Sequence, residues 1–178
     1  RLAKLVKDRY EVHQRLNTVL FDETASSLEE DIQLILQDEL WLIDERYNLI
    51  TAEEPDFEEA LLRILDFRTG TKSSSKPKID SADRQKEMDI FACRKRKNDA
   101  VFEHIVVELK RASHPLSKKD HDQLFAYQQL IMKEKRFNSP DSRWKFYLIG
   151  TSYATDGYVL SHKKNLKNLG VPDLIYRD

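Results

Sequence analysis

Glycine is scarce in this chain, with four among 178 residues, and neither GxGxxG nor GxxxxGK[ST] occurs. A phosphate cradle built from clustered glycines is therefore excluded. The single Cys93 excludes an intramolecular disulfide and any multi-cysteine zinc site. Zinc-peptidase chemistry lacks its HExxH, and a serine-hydrolase elbow lacks its GxSxG, so neither Ser152 nor Ser161 has a triad context. No apolar run approaches the roughly 20 residues of a membrane span, and no signal-peptide core is present. A cytoplasmic protein without membrane contact is the expectation. What remains is 40% hydrophobic and 34% charged, enough for a packed core in one domain with or without a helical appendage.

The formal net charge of −1 conceals a division. Residues 1–70 hold 8 basic and 17 acidic side chains, whereas residues 71–178 hold 22 and 14. An anionic partner on the C-terminal part is permitted by this separation. The basic residues are grouped: Arg94-Lys95-Arg96-Lys97, Lys110-Arg111, Lys118-Lys119, Lys133 with Lys135-Arg136, and Lys163-Lys164 with Lys167.

Leu2, Leu5, Val6, Val12, Leu16, Val19 and Leu20 recur at helical spacing and predict a first helix over 2–20. Ser27 and Glu30 form a capping-box pattern that opens a second helix, expected to carry Ile32, Leu36, Leu40, Ile43 and Tyr47. A third helix is expected after Pro55, and the polar run over 72–78 reads as a surface loop. Met88 to Cys93 and Val101 to Lys110 read as two strands joined by a charged turn, a hairpin. A helix over 120–136, a strand over 144–149, a short basic helix near 162–169 and the apolar Leu174-Ile175-Tyr176 follow. Helices, hairpin, helix, strand, helix in that order predict an α/β domain with a mixed central sheet flanked by helices. Residues 1–28 are expected to be an N-terminal helical extension, with a homodimer contact as one use for it, and residues 29–178 the domain proper.

Glu108-Leu109-Lys110 is the sharpest local feature. In a strand the first and third residues share a face, so Glu108 and Lys110 project together while Val107 and Leu109 turn to the core. Asp89, near the start of the partner strand, reaches the same end of the sheet. Two carboxylates so placed repel unless a cation lies between them. With oxygen donors only, a hard ion such as Mg²⁺ or Mn²⁺ is the natural occupant. Gln123 and Tyr127, four residues apart, share one face of the following helix. His114 and His121 flank the entrance to that helix. Read singly, each of these features also suits an ordinary solvated strand end or a routine core tyrosine.

Taken together, Asp89, Glu108-Leu109-Lys110 and Gln123-Leu-Phe-Ala-Tyr127 resemble the PD-(D/E)XK phosphodiesterase superfamily, in its RecB-like branch with QxxxY. The departure is Met88, which stands where the family often has proline. The resemblance implies a restriction-endonuclease-like core and a Mg²⁺- or Mn²⁺-dependent nuclease acting on DNA, or on RNA. It implies metal binding by Asp89, Glu108 and the Leu109 carbonyl, support of the attacking water by Lys110, and positioning by Gln123 and Tyr127. It also implies an acidic residue on a helix before the first core strand, for which Glu45 is the first choice, with Glu39 and Asp44 behind it. Arg111, Lys118 and Lys119 lie where they would hold a phosphate backbone. The run LWLIDERY with the hairpin and the ELK strand is similar to nuclease-type domains of bacterial gyrase/Hsp90-type ATPase proteins and Shedu-like anti-phage systems. A start at Arg1 and an end just after Tyr176 lead us to expect a domain of a longer protein, with an ATPase or sensor domain attached. The competing expectation is a nuclease-like fold without catalysis that binds nucleic acid or protein.

Overall fold

The computed structural model describes residues 2–21, 29–43, 48–51, 55–95 and 101–168. Within them the order is α1 (Leu2–Phe21), α2 (Glu29–Asp38), a 3₁₀ turn (Leu40–Leu42), β1 (Asn48–Thr51), α3 (Phe57–Thr69), β2 (Ile90–Lys95), β3 (Phe102–Leu109), α4 (Lys118–Lys133), β4 (Ser142–Ile149) and α5 (Tyr158–Asn168). The strands form one mixed sheet in the order β1-β2-β3-β4. β1 and β2 are antiparallel, as are β2 and β3, whereas β4 runs parallel to β3. A parallel neighbour needs a crossover rather than a tight turn, and α4 supplies it.

β3 is the centre of the molecule, and all eight of its residues are buried. On one face Phe57, Leu61 and Ile64 of α3 pack with Phe91, Val106, Tyr127 and Ile131. On the other face Ile32 and Leu36 of α2 meet Ile90, Ile105, Val107 and Leu109, joined by Leu16, Val19 and Leu20 near the end of α1. The expected α/β arrangement with helices on both sides of a mixed sheet is thus observed. Coverage of both faces also explains why Ile105-Val106-Val107 in the middle of β3 is an unbroken apolar run instead of alternating. The first part of α1 stands apart from this packing, leaving Leu2, Leu5, Val6 and Tyr10 exposed.

Local sequence sets the element ends. Asp56 caps α3 by accepting a hydrogen bond from the Glu59 N–H at 2.7 Å, and Gly70 closes that helix at φ 72°, a left-handed geometry that glycine adopts without penalty. At the start of α4, Asp120 reaches back to accept from the Ser117 N–H at 2.8 Å and from its Oγ at 2.7 Å. His114 Nε2 lies 3.0 Å from both oxygens of the same carboxylate. Burial opposes ionisation of Asp120, but the bonds from His114 and Ser117 outweigh it and hold its pKa down at about 2.

Two expectations need correction. The second helix does not continue to Tyr47: it ends at Asp38, and Leu40–Leu42 form a 3₁₀ turn. A strand, β1, follows where none was expected. The apolar residues Leu40 and Leu42 still face the core, so a helical period persists where the helix itself has stopped. The Ser27 cap, the hairpin turn over 96–100 and the terminal Leu174–Tyr176 lie outside the described residues. Among the described residues, no helix is long and apolar enough to cross a membrane.

Two measurements check the packing. Phe57 is fully buried and meets the rings of Tyr127 and Phe137 edge-on at 5.3 and 6.3 Å. Phe57→Ala should cost roughly 3–5 kcal/mol in urea unfolding; a loss below about 1 kcal/mol would contradict the packing described. His104 is also fully buried, lies flat against Trp144 at 4.4 Å, and has no hydrogen-bond partner on either ring nitrogen. Burial lowers its pKa to about 3 from 6.5, assisted by the Arg68 charge. The unfolded chain therefore binds a proton that the folded one refuses, and this group's contribution fades as pH falls from about 6.5 towards 3. His104→Phe should flatten that acid-side loss in unfolding measured across the same range.

Candidate active site

The site lies where β2 begins and β3 ends. Ile90 pairs with Val107, which sets Asp89 beside Glu108 and Leu109. The antiparallel register across 19 intervening steps of chain is what joins them. The segment before Asp89 is fixed independently, since Met88 N–H donates to the Pro55 carbonyl at 3.1 Å and Phe57 N–H to the Arg84 carbonyl at 3.1 Å. Gln33 of α2 donates from Nε2 to the Asp89 carbonyl at 3.0 Å. The Asp89 carboxylate accepts a short hydrogen bond from the Leu109 N–H. Asp89 is thus held from both strands and from α2.

Glu108 is 2% exposed, on the face of β3 that looks towards α4. Its Oε1 accepts from Lys110 Nζ at 2.6 Å and from Gln123 Nε2 at 2.6 Å. Gln123 Nε2 also donates to the Tyr127 hydroxyl at 2.8 Å, and that hydroxyl donates to the Glu87 carbonyl at 2.7 Å. One turn of α4 accordingly ties β3 to the residues preceding β2. Glu108 Oε2 is buried with no hydrogen-bond partner. An unsatisfied buried carboxylate oxygen costs free energy unless something positive meets it.

Electrostatics agree with the geometry. Burial, then the charge of Glu108, pushes the Asp89 pKa up to about 7, against the opposing Leu109 N–H and Lys110. Burial likewise raises Glu108, with Lys110 pulling the other way. Lys110 loses something to burial, but its bond to Glu108 and the surrounding carboxylates leave its pKa raised. It is an ammonium at neutral pH. Two carboxylates that resist simultaneous ionisation, one with a bare oxygen, match the donor set of a hard divalent cation bound by one or two carboxylates and water. Among the described residues, no group of three or more His, Cys, Asp or Glu side chains is gathered to hold a metal ion; the two carboxylates would share the task with backbone and solvent oxygens.

The structure brings together Asp89, Glu108, Leu109, Lys110, Gln123 and Tyr127. It also adds Glu29, from the first turn of α2, which sequence reasoning passed over. Glu29 Oε1 is 3.9 Å from Lys110 Nζ, and its Oε2 accepts from the Arg111 N–H at 3.3 Å. Its negative charge adds to the upward pressure on Asp89 and Glu108. Of the three helix carboxylates considered, Asp44 and Glu45 lie outside the described residues, and Glu39 accepts from the Trp41 indole at 2.6 Å. Nothing local marked Glu29: it and Gln33 stand one helical turn apart at the beginning of α2, a spacing that any helix surface offers. Both now touch the site through separate bonds.

The three basic residues expected to meet a phosphate backbone are exposed. Arg111 lies two residues beyond the end of β3 and is exposed. Lys118 and Lys119 occupy the first turn of α4, exposed, and Lys118 pairs closely with Asp122. His114 is engaged by Asp120, and His121 packs near Phe125, Tyr158 and His162. Comparison of the chain with models of protein families, with curated proteins and with solved structures found no match in any of the three.

The buried carboxylates generate a pH prediction. Asp89 is raised in the folded state, so its protonated form is favoured there; its contribution to stability is complete below about 3.8 and is lost as pH rises through about 7. In metal-free buffer, Asp89→Asn should exceed the wild type in stability at neutral pH by roughly 1–3 kcal/mol, and the gap should close below about pH 4. Equal unfolding midpoints for both proteins at neutral pH would contradict this account.

Proposed function

We propose that the chain is a metal-dependent phosphodiesterase of the PD-(D/E)XK type, with a restriction-endonuclease-like core, acting on nucleic acid. The observation that carries this reading is the bare, buried Glu108 Oε2 beside a second buried carboxylate and an ammonium group. No structural purpose requires all of them, because an apolar strand end would cost less. The antiparallel β2–β3 pair followed by α4 and the parallel β4 supports the assignment, as does the Gln123–Tyr127 pair directed at Glu108.

The residues divide the work by their chemistry. Asp89 and Glu108, with the Leu109 carbonyl, would hold Mg²⁺ or Mn²⁺. When bound, such an ion acidifies water, polarises the phosphoryl oxygen and neutralises the leaving oxygen. Lys110, charged at neutral pH, acts electrostatically: it orients the incoming water and stabilises negative charge growing on the phosphoryl group. It is not a general base, since its proton is retained by Glu108. Gln123 fixes the rotamer of Glu108, and Tyr127 fixes Gln123. Glu29 takes the place that the resemblance gives to a helix carboxylate, with its Oε1 3.9 Å from Lys110 Nζ. Arg111, Lys118 and Lys119 supply a salt-sensitive, sequence-independent attraction for the phosphate backbone.

Cleavage of labelled single- and double-stranded DNA and of RNA, with Mg²⁺ or Mn²⁺ and with EDTA, tests the reading. Metal-dependent cleavage is expected, with Glu108→Ala and Lys110→Ala each lowering the rate by about 10²-fold or more. Metal should also raise the melting temperature of the wild type and leave Glu108→Ala unmoved. Absence of cleavage on every substrate, together with no metal effect on melting, would replace the enzyme with a binding-only domain of nuclease-like fold.

A further inference from the structure

α2 buries a polar side chain within its apolar face. The buried residues of that helix are Ile32, Gln33, Ile35 and Leu36. A methionine of similar length would fill the place of Gln33 without the cost of desolvating an amide. Among the described residues that amide makes one hydrogen bond, from Nε2 to the Asp89 carbonyl at 3.0 Å. A carbonyl only accepts, so the nitrogen end of the amide has to face it.

That carbonyl stands where strand pairing gives out. The β2–β3 ladder begins with Ile90 opposite Val107, so Asp89 is the residue just before it. On the other side of β2, β1 extends among the described residues no further than Thr51, opposite Phe91. Gln33 supplies a donor at a point that the strand pairing does not reach. The carboxylate of Asp89 accepts from the Leu109 N–H, a side chain taking over where the main-chain ladder has ended. Carbonyl and carboxylate branch from one Cα, and holding both leaves Asp89 little freedom to turn.

α2 also touches the second strand of the site. Glu29, one turn before Gln33, accepts from the Arg111 N–H at 3.3 Å, and Arg111 lies beyond the end of β3. The helix itself is seated by Ile32 and Leu36, which share a buried cluster with Ile90, Val107 and Leu109. Those aliphatic contacts hold α2 whether or not position 33 carries an amide. The bond to Asp89 and the packing of the helix can therefore be removed independently.

We propose that Gln33 is a positioning residue of the carboxylate site: it fixes the Asp89 main chain, aims the carboxylate, and so sets the affinity for a divalent cation. A ligand group already held in place loses less freedom when the ion arrives, and groups behind the ligands of a metal commonly govern its affinity in this way. The part concerning the cation rests on the nuclease reading; the hold on Asp89 does not.

The test compares the full chain with Gln33→Met, which keeps the volume and removes the donor, and Gln33→Asn, which keeps the amide but withdraws it by one methylene. Circular dichroism should show both folded. In EDTA, the Leu109 amide hydrogen should exchange at least about 10-fold faster in each variant, while Ile105 in the middle of β3 exchanges as in the wild type. Titration with Mn²⁺ alone, followed by electron paramagnetic resonance, should give an affinity lower by about 10–100-fold. Raising Mn²⁺ by the same factor should restore cleavage to the Gln33 variants and not to Glu108→Ala. Unchanged exchange at Leu109 would overturn the proposal, as would an unchanged Mn²⁺ affinity where the wild type binds the ion. Equal acceleration at Leu109 and Ile105, or failure of both variants to fold, would reduce Gln33 to a core residue and overturn it too. If the wild type binds no Mn²⁺ and cleaves nothing, the nuclease reading falls with the cation part, and exchange at Leu109 alone decides whether Gln33 holds Asp89.

Discussion

Two carboxylates, Asp89 and Glu108, are forced into one buried corner by the pairing of β2 with β3, and the surrounding structure is arranged around that repulsion. Burial disfavours the charge on both groups, and the charge of Glu108 makes ionisation of Asp89 harder still. Lys110 offsets part of the cost from one side and Gln123 from another, both on the same oxygen of Glu108. The Leu109 N–H does the same for Asp89. What is left uncompensated is small and localised, a single oxygen. A fold selected only for stability has simpler solutions, including an apolar pair of similar volume.

The rigidity needed to keep such a corner comes from the double burial of β3. Helices on both faces leave its side chains little freedom, and the strand that bears Glu108 is also the one with the most neighbours to hold it. The Phe57 ring packs on the Tyr127 ring, so α3, remote in sequence, bears on the orientation of Gln123. The site is therefore supported by three helices and two strands, and the loops contribute mainly its rim.

Much of this was legible in the residues. The apolar period of α1, α3 and α4, the β-branched run of β3 and the same-face rule for Glu108 and Lys110 are local properties, and local rules reach them. Asp89 was legible because an antiparallel pair with one turn has few registers that bury its apolar residues. The extent of α2 was not, because Leu40 and Leu42 keep a helical rhythm after the helix has ended and because β1 is only four residues long. Glu29 was missed for a different reason. Its role depends on where α2 lands against the end of β3, a tertiary fact to which an acidic first turn, common for dipole reasons alone, gives no clue. The isolation of His104 between aromatic rings was equally invisible, since nothing local distinguishes it from a paired histidine.

The hydrogen-bond chain behind Glu108 has a direction. Tyr127 gives its only hydroxyl hydrogen to the Glu87 carbonyl, so its oxygen is left to accept from Gln123. Gln123 then turns the hydrogens of its amide nitrogen to Tyr127 and to Glu108. With each hydrogen so committed, the amide is a fixed dipole with its positive end against Glu108 Oε1. A change of charge at the other oxygen meets an environment whose protons are already in place, and the reorganisation that water would require is done once, when the chain folds.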